Sequence, residues 1–477
     1  MRNIDRREFL KISAGGLVSL YLGACAHWLP KGAPALDPVL NITMTDAMKE
    51  MVTHNAINDA RCYFWIYKCN IPELPPDSPG PMIFVTEGEI INLTLTNKLD
   101  EPHALFIPGI FDSGPVMPGA TGKFTFTASK TGTFLYFDNL NAPVNRVMGL
   151  HGAFIVMPAA PLVGHKFTPY ANPTPAVQQL FDDFGSAPHF PGLAWEEGDP
   201  ATDTLPFRQH VWLLHEASSR LFAEVGNSSP GMGVRIPANF LEAFLHDPFR
   251  PDGLNRKPEF FTISGQSGHF AHNNPYICPM HRVGEPTLVR ILNAGLMSHS
   301  LHIHANHVYL PSTNGVVQDN VLWGDTFTSR PVETMEFVLP YMRPPDIPNV
   351  GGVGRADTPL VSLGNPPAPG IAGSAAHPVW PPVEELNIFL PPKGTKAGVI
   401  DISAQMSPQC YPMHDHSEPT QTAQGGNYNC GLITGINFTG DRNTPGGVTT
   451  FPNAPENPSN GPDFKKEIVP PTVPFVF

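Results

Sequence analysis

Two short motifs, His302-Ile303-His304 and His414-Asp415-His416, carry residue types suited to holding a metal ion. Side chains on a β-strand alternate faces, so residues two apart point the same way. Each motif on a strand would aim two imidazoles at one place, and imidazole suits copper, zinc, iron or nickel. Two such strands side by side offer four convergent nitrogens. One pair alone is weak evidence; two pairs in matching context are strong. The competing reading is a relic hydrogen-bond cluster that holds no ion.

The elements that must position these motifs belong to an internal repeat. Glu87-Gly88-Glu89 leads through alternating Ile91, Leu93 and Leu95 to Asn97, with His103 six residues on. Gly284-Glu285 leads through Leu288, Val289 and Ile291 to Asn293, with His299 six residues on. Downstream, Leu135-Tyr136-Phe137-Asp138-Asn139 corresponds to Pro412-Met413-His414-Asp415-His416, and Met148-Gly149-Leu150 to Cys430-Gly431-Leu432. Alternating apolar runs between Pro/Gly turns predict an all-β chain of two antiparallel Greek-key sandwiches. The expected divisions are 38–160 for the first, 161–205 for a Pro-rich linker with a short helix near 176–184, and 206–440 for the second. Residues 237–246 read as another short helix, 341–395 as an insertion, and 441–477 as a Pro/Asn-rich tail.

Composition agrees: 477 residues, only 15% charged, with 56 Pro and 43 Gly, favour short strands and turns. A net charge of -13 argues against nucleic acid or anionic membrane as a partner. Residues 1–26 read as an export signal. Arg6-Arg7 followed by Phe9-Leu10-Lys11 is similar to a twin-arginine motif, and the apolar stretch 12–24 is too short to span a bilayer. Leu22-Gly23-Ala24-Cys25 allows a lipid anchor at Cys25, and Ala24-Cys25-Ala26 allows plain cleavage; both stay open. No other stretch is long enough to be a transmembrane helix. A periplasmic location follows, where cysteines are read first as disulfides. Cys62 and Cys69 are then a local bridge candidate, and one of Cys278, Cys410 and Cys430 must be left over.

The segment His299-Ser300-Leu301-His302-Ile303-His304 resembles the first copper motif in the last domain of multicopper oxidases. His414-Asp415-His416 resembles their second, and Gly132-Thr133-Phe134-Leu135-Tyr136 the strand leading into the motif of their first domain. The stretch from His414 to Leu432 is especially similar to domains of bacterial manganese-oxidising members. The resemblance implies cupredoxin-like domains, copper as cofactor, and a small-molecule or metal-ion substrate. It also implies a blue copper bound by a thiolate and a cluster that draws His pairs from two domains.

The chain departs from that pattern. The repeat sets Phe106 and Pro108 opposite His302 and His304, and Phe137 and Asn139 opposite His414 and His416, so the first domain lacks its ligands. Asp415 stands where the family has the thiolate, and Thr420 where a further His is normal. Strand parity turns His299 and Asp415 toward the core, as it does His103 and Asp138, so both are expected as structural His–Asp pairs. Metal ligation by His299 and Asp415 is the alternative; His281, in Cys278-Pro279-Met280-His281, and Cys430 are further secondary candidates.

Three functions compete: a copper-dependent oxidoreductase with a reduced, one- or two-copper centre on His302, His304, His414 and His416; a non-catalytic copper-binding protein; and a metal-free structural or interaction protein on a degenerate oxidase scaffold. A homo-oligomer in which two chains pool their histidines is geometrically conceivable.

Overall fold

In the computed structural model the described residues are 19–21, 39–51, 60–69, 80–184, 209–246, 255–272, 274, 277–281, 286–304, 306–341, 409–423 and 430–438. The expected insertion at 341–395, apart from Tyr341, and the tail at 441–477 lie outside them. Of the expected signal, Ser19–Tyr21 is described, as a short strand parallel to Met82–Thr86.

Among the described residues the β-structure forms four sheets. Two come from the region before residue 160. One orders Ser19–Tyr21, Met82–Thr86, His151–Met157, Gly132–Phe137, Phe106–Ile107 and Phe111–Asp112; the other Ala60–Cys69, Val39–Met51, Ile90–Asn97 and Thr121–Thr127. Two come from the later region. One orders Phe260–Ile263, Gln209–Ala217, Thr287–Asn293, Thr334–Leu339, Val308–Thr313 and Val316–Gly324. The other orders Met280–His281, Ile433–Phe438, Gln409–Asp415, His299–Ile303 and Thr326–Ser329. The all-β expectation holds.

The sandwiches are not purely antiparallel. Val39–Met51 runs parallel to Ile90–Asn97, and Gln209–Ala217 parallel to Thr287–Asn293. The chain crosses to the opposite sheet between such strands and re-enters in the same direction, which a hairpin reading cannot foresee. The helix expected near 176–184 runs Pro175–Phe184. It buries Val177, Leu180, Phe181 and Phe184, the one-face spacing of an amphipathic helix. The helix at Pro237–Leu241 continues as one π-turn, Glu242–His246.

The Cys62–Cys69 bridge is ruled out. Both residues lie on the single strand Ala60–Cys69, where seven residues span roughly 23 Å at ~3.3 Å each. A disulfide needs α-carbons within about 7 Å. Among the described residues Cys62, Cys278 and Cys410 carry unbridged thiols.

Candidate metal centre

The histidines of interest sit on two central strands of the last sheet. His302 pairs directly with His414 across an antiparallel ladder, and Leu301 with Asp415. The ladder is carried past both strand ends by His304 N–H donating to Pro412 O at 3.0 Å and His416 N–H to Ser300 O at 2.9 Å. Alternation does the sorting. His299, Leu301 and Ile303 are buried, as are Met413 and Asp415, while His302 and His414 are half-buried and His304 and His416 exposed.

On the outward face His302 lies 4.9 Å from His304, 5.5 Å from His414 and 4.9 Å from His416, centroid to centroid. His304 Nε2 and His414 Nε2 are 2.9 Å apart. One nitrogen from each of His302, His304 and His414 falls in a group no wider than 4.8 Å, and His416 stands outside that group. The two strands therefore bring three candidate ligands together and keep the fourth beside them, stacked on His414 at 5.8 Å.

Two of these rings are oriented by a hydrogen bond at the nitrogen facing away from the partner. His302 Nδ1 is 2.9 Å from Thr326 Oγ1 and 3.8 Å from Asp325 Oδ2. His414 Nδ1 donates to Asp415 O at 2.8 Å. The carbonyl fixes the His414 tautomer, leaving the lone pair on its Nε2 as metal-binding histidines require, while the Thr326 hydroxyl orients the His302 ring. Burial, with the neighbouring imidazoles, holds His302 and His304 below the ordinary histidine value, which favours the neutral, ligating form.

On the inward face His299 is enclosed by carboxylates. Its Nδ1 is 2.7 Å from Asp415 Oδ2 and its Nε2 2.7 Å from Glu216 Oε1, all three side chains buried. Burial pulls the His299 pKa down, but the bonds to Asp415 and Glu216 outweigh it and raise it to about 9. Asp415 also accepts from Ser300 N–H at 2.7 Å and from Thr420 Oγ1 at 2.8 Å. Asp415 is thus saturated, and both His299 nitrogens are engaged. This core position is a hydrogen-bonded ion triad, not a vacant ligand set.

In the earlier region His103 Nδ1 lies 2.6 Å from Asp138 Oδ2, and Phe106 pairs with Phe137 in the register that His302 and His414 occupy. The two phenyl rings meet edge to face at 5.5 Å, and Asn139 donates to Asp112 at 3.2 Å. Packing and an amide bond fill the place of the ligands.

The remaining candidates lie elsewhere. His281 is buried, its Nε2 3.1 Å from His210 Nε2 and its ring against Tyr341. Cys278 beside it in sequence turns instead to Gly435 O and Asn437. Cys430, half-buried, packs on an apolar cluster drawn from both regions. Sequence reading missed Glu216 and Thr326. Glu216 carried one signal, being the lone carboxylate in the buried run His210–Ala217.

Residues 75–161 match the family model described as multicopper oxidase. L-ascorbate oxidase of Cucumis sativus is 29% identical over 134 residues, 24% of this chain and 22% of that protein. The matched stretch thus spans about a fifth of that relative. Among solved structures, the chain is similar to a blue copper oxidase from Nitrosomonas europaea, with 16% identity and a TM-score of 0.47 over 84% of this chain and 85% of that one. It is also similar to a copper nitrite reductase from the same organism, with 15% identity and a TM-score of 0.43 over 84% and 93%. The family-model match over residues 75–161 and the curated relative both point to similarity with multicopper oxidases.

Proposed function

We propose that this chain is an exported copper-binding oxidoreductase with a one- or two-copper centre on His302, His304, His414 and His416. The convergence of three ring nitrogens from two strands within 4.8 Å carries this reading. The residues fit the ion. Imidazole nitrogens of His304 and His414 2.9 Å apart, with one of His302 beside them, are the donors that would hold it.

Bound there, copper would supply one-electron redox chemistry. The chain's residues do the rest. Thr326 and Asp325 orient His302, the Asp415 carbonyl fixes the tautomer of His414, and the exposed edges of His304 and His416 leave room for a small reductant or a metal ion. Similarity in motif to manganese-oxidising members makes Mn(II) the first metal-ion substrate to try.

A non-catalytic copper binder is the second reading. It is favoured by Asp415, which stands where a thiolate would admit electrons and is committed to His299. The metal-free scaffold is the reading that remains if no ion is held. Export rests on the Arg6-Arg7 signal, with Cys25 as lipid anchor or cleavage-site residue, and a homo-oligomer stays part of the proposal.

Copper analysis of protein reconstituted with Cu(II) tests the centre. One or two coppers per chain are expected, lost in His302→Ala/His414→Ala; copper retained by that double variant overturns the site. Oxygen uptake with phenols, Cu(I) or Mn(II) then separates enzyme from binder.

A further inference from the structure

A second cluster of metal-ligating side chains lies at the edge of the same sheet, away from the four histidines. Cys410 is the second residue of the strand that carries His414, and His272 ends the short helix Gly268–His272 packed on Ile433–Phe438. Their Sγ and Nε2 atoms are 3.9 Å apart. Both lie over Gly435, where a Cβ would come within 2.6 Å of Cys410 Sγ and 2.6 Å of His272 Cε1. The absence of a side chain at Gly435 creates the niche. Cys278 contacts the same glycine, its Sγ donating to Gly435 O at 3.2 Å and accepting from Asn437 Nδ2 at 3.0 Å. Asn437 Oδ1, buried, has no hydrogen-bond partner.

We propose that Cys410 and His272, with Cys278 as third donor, hold a thiophilic closed-shell cation of the Cu(I) type above Gly435. The spacing suits it. An ion about 2.3 Å from sulfur and about 2.05 Å from nitrogen would see a 3.9 Å separation under an angle near 127°, close to trigonal. Sulfur and imidazole together select soft ions over magnesium, calcium or manganese. Cys278 stands outside bonding range of the pair, and to complete the set its Sγ must leave Gly435 O and Asn437. Binding displaces one proton from each thiol.

The test uses Ag(I), a redox-inert probe, on the full chain carrying His302→Ala/His414→Ala, so that the three-nitrogen imidazole group is broken. Alkylation of Cys410 by a maleimide is followed by peptide mass spectrometry. One equivalent of Ag(I) is expected to slow Cys410 alkylation at least roughly tenfold, with Cys278→Ser, Gly435→Ala and His272→Gln each weakening that protection by roughly tenfold or more. Unprotected Cys410 in the parent overturns the site. Equal protection in His272→Gln overturns it too, since a lone thiol then explains the binding, and unchanged protection in Cys278→Ser removes the third donor. His272 is partly exposed, so its variant remains informative even if Cys278→Ser does not fold.

Discussion

At His299 the histidine signature turns into a structural device. Each ring nitrogen faces one buried carboxylate, Asp415 or Glu216, so the ring keeps both protons and a positive charge in the core. A folded pKa of about 9 against an ordinary 6.5 contributes stability fully below pH 6.5 and loses it as pH rises through 9. The contribution is on the order of 3 kcal/mol. Glu216→Gln should flatten that alkaline decline and lower stability by about 3–5 kcal/mol near pH 6, read by urea unfolding at several pH values; an unchanged profile would refute the triad. On the outer face, Thr326→Val removes the bond that orients His302 and should weaken Cu(II) affinity by about 10–100-fold in competition with a chelator. The pairing of His299 with Asp415 was legible from parity alone. Glu216 was not, because 83 residues and a parallel strand crossing separate it from His299.

Strands, rather than residues, explain why the two regions look alike yet differ. The same antiparallel register that sets His302 against His414 sets Phe106 against Phe137, and buried His–Asp pairs lie beneath both. Register here is held by the inward residues Leu301, Ile303 and Met413, each buried. Leu301→Ala should cost about 2–5 kcal/mol in denaturant midpoint analysis and loosen metal binding in parallel; full affinity in a destabilised variant would separate register from ligation. The alternation of apolar residues made these strands readable. Which strands run parallel was not readable, since that depends on the path between sheets. The bridge expected between Cys62 and Cys69 failed because local spacing says nothing about whether a chain turns or runs straight.

Across the whole molecule, polar side chains tie the two regions together. Arg290, fully buried, donates to Thr133 at 2.7 Å and to Glu336 at 2.5 Å, joining strands from both regions. Arg146 donates to Gly295 O at 2.8 Å and also to Ala294 O, gripping the turn whose amides Leu296 and Met297 donate to Glu216. Arg290→Ala, which strands Glu336 in the core, should cost about 3–5 kcal/mol and split a single calorimetric transition in two; a single unshifted transition would argue against the tie. His151 and His215, one from each region, sit 4.6 Å apart, each bonded to a backbone oxygen of the segment 146–147. Burial, chiefly, lowers both, His215 to about 4. A histidine kept neutral in this way costs stability as pH falls below 6.5 toward 4, by an amount on the order of 3 kcal/mol. Thermal unfolding should therefore show an acid limb that His215→Gln makes shallower, His151 keeping its share, and a stability maximum near pH 6.5 where it meets the alkaline limb.

The openness of His304 and His416 has a practical corollary. Imidazoles free at the surface of a rigid sheet are what an immobilised nickel or copper resin captures. Untagged protein should stay on such a column and elute with imidazole, and any ion it carries afterwards will reflect its handling history as much as its cellular one.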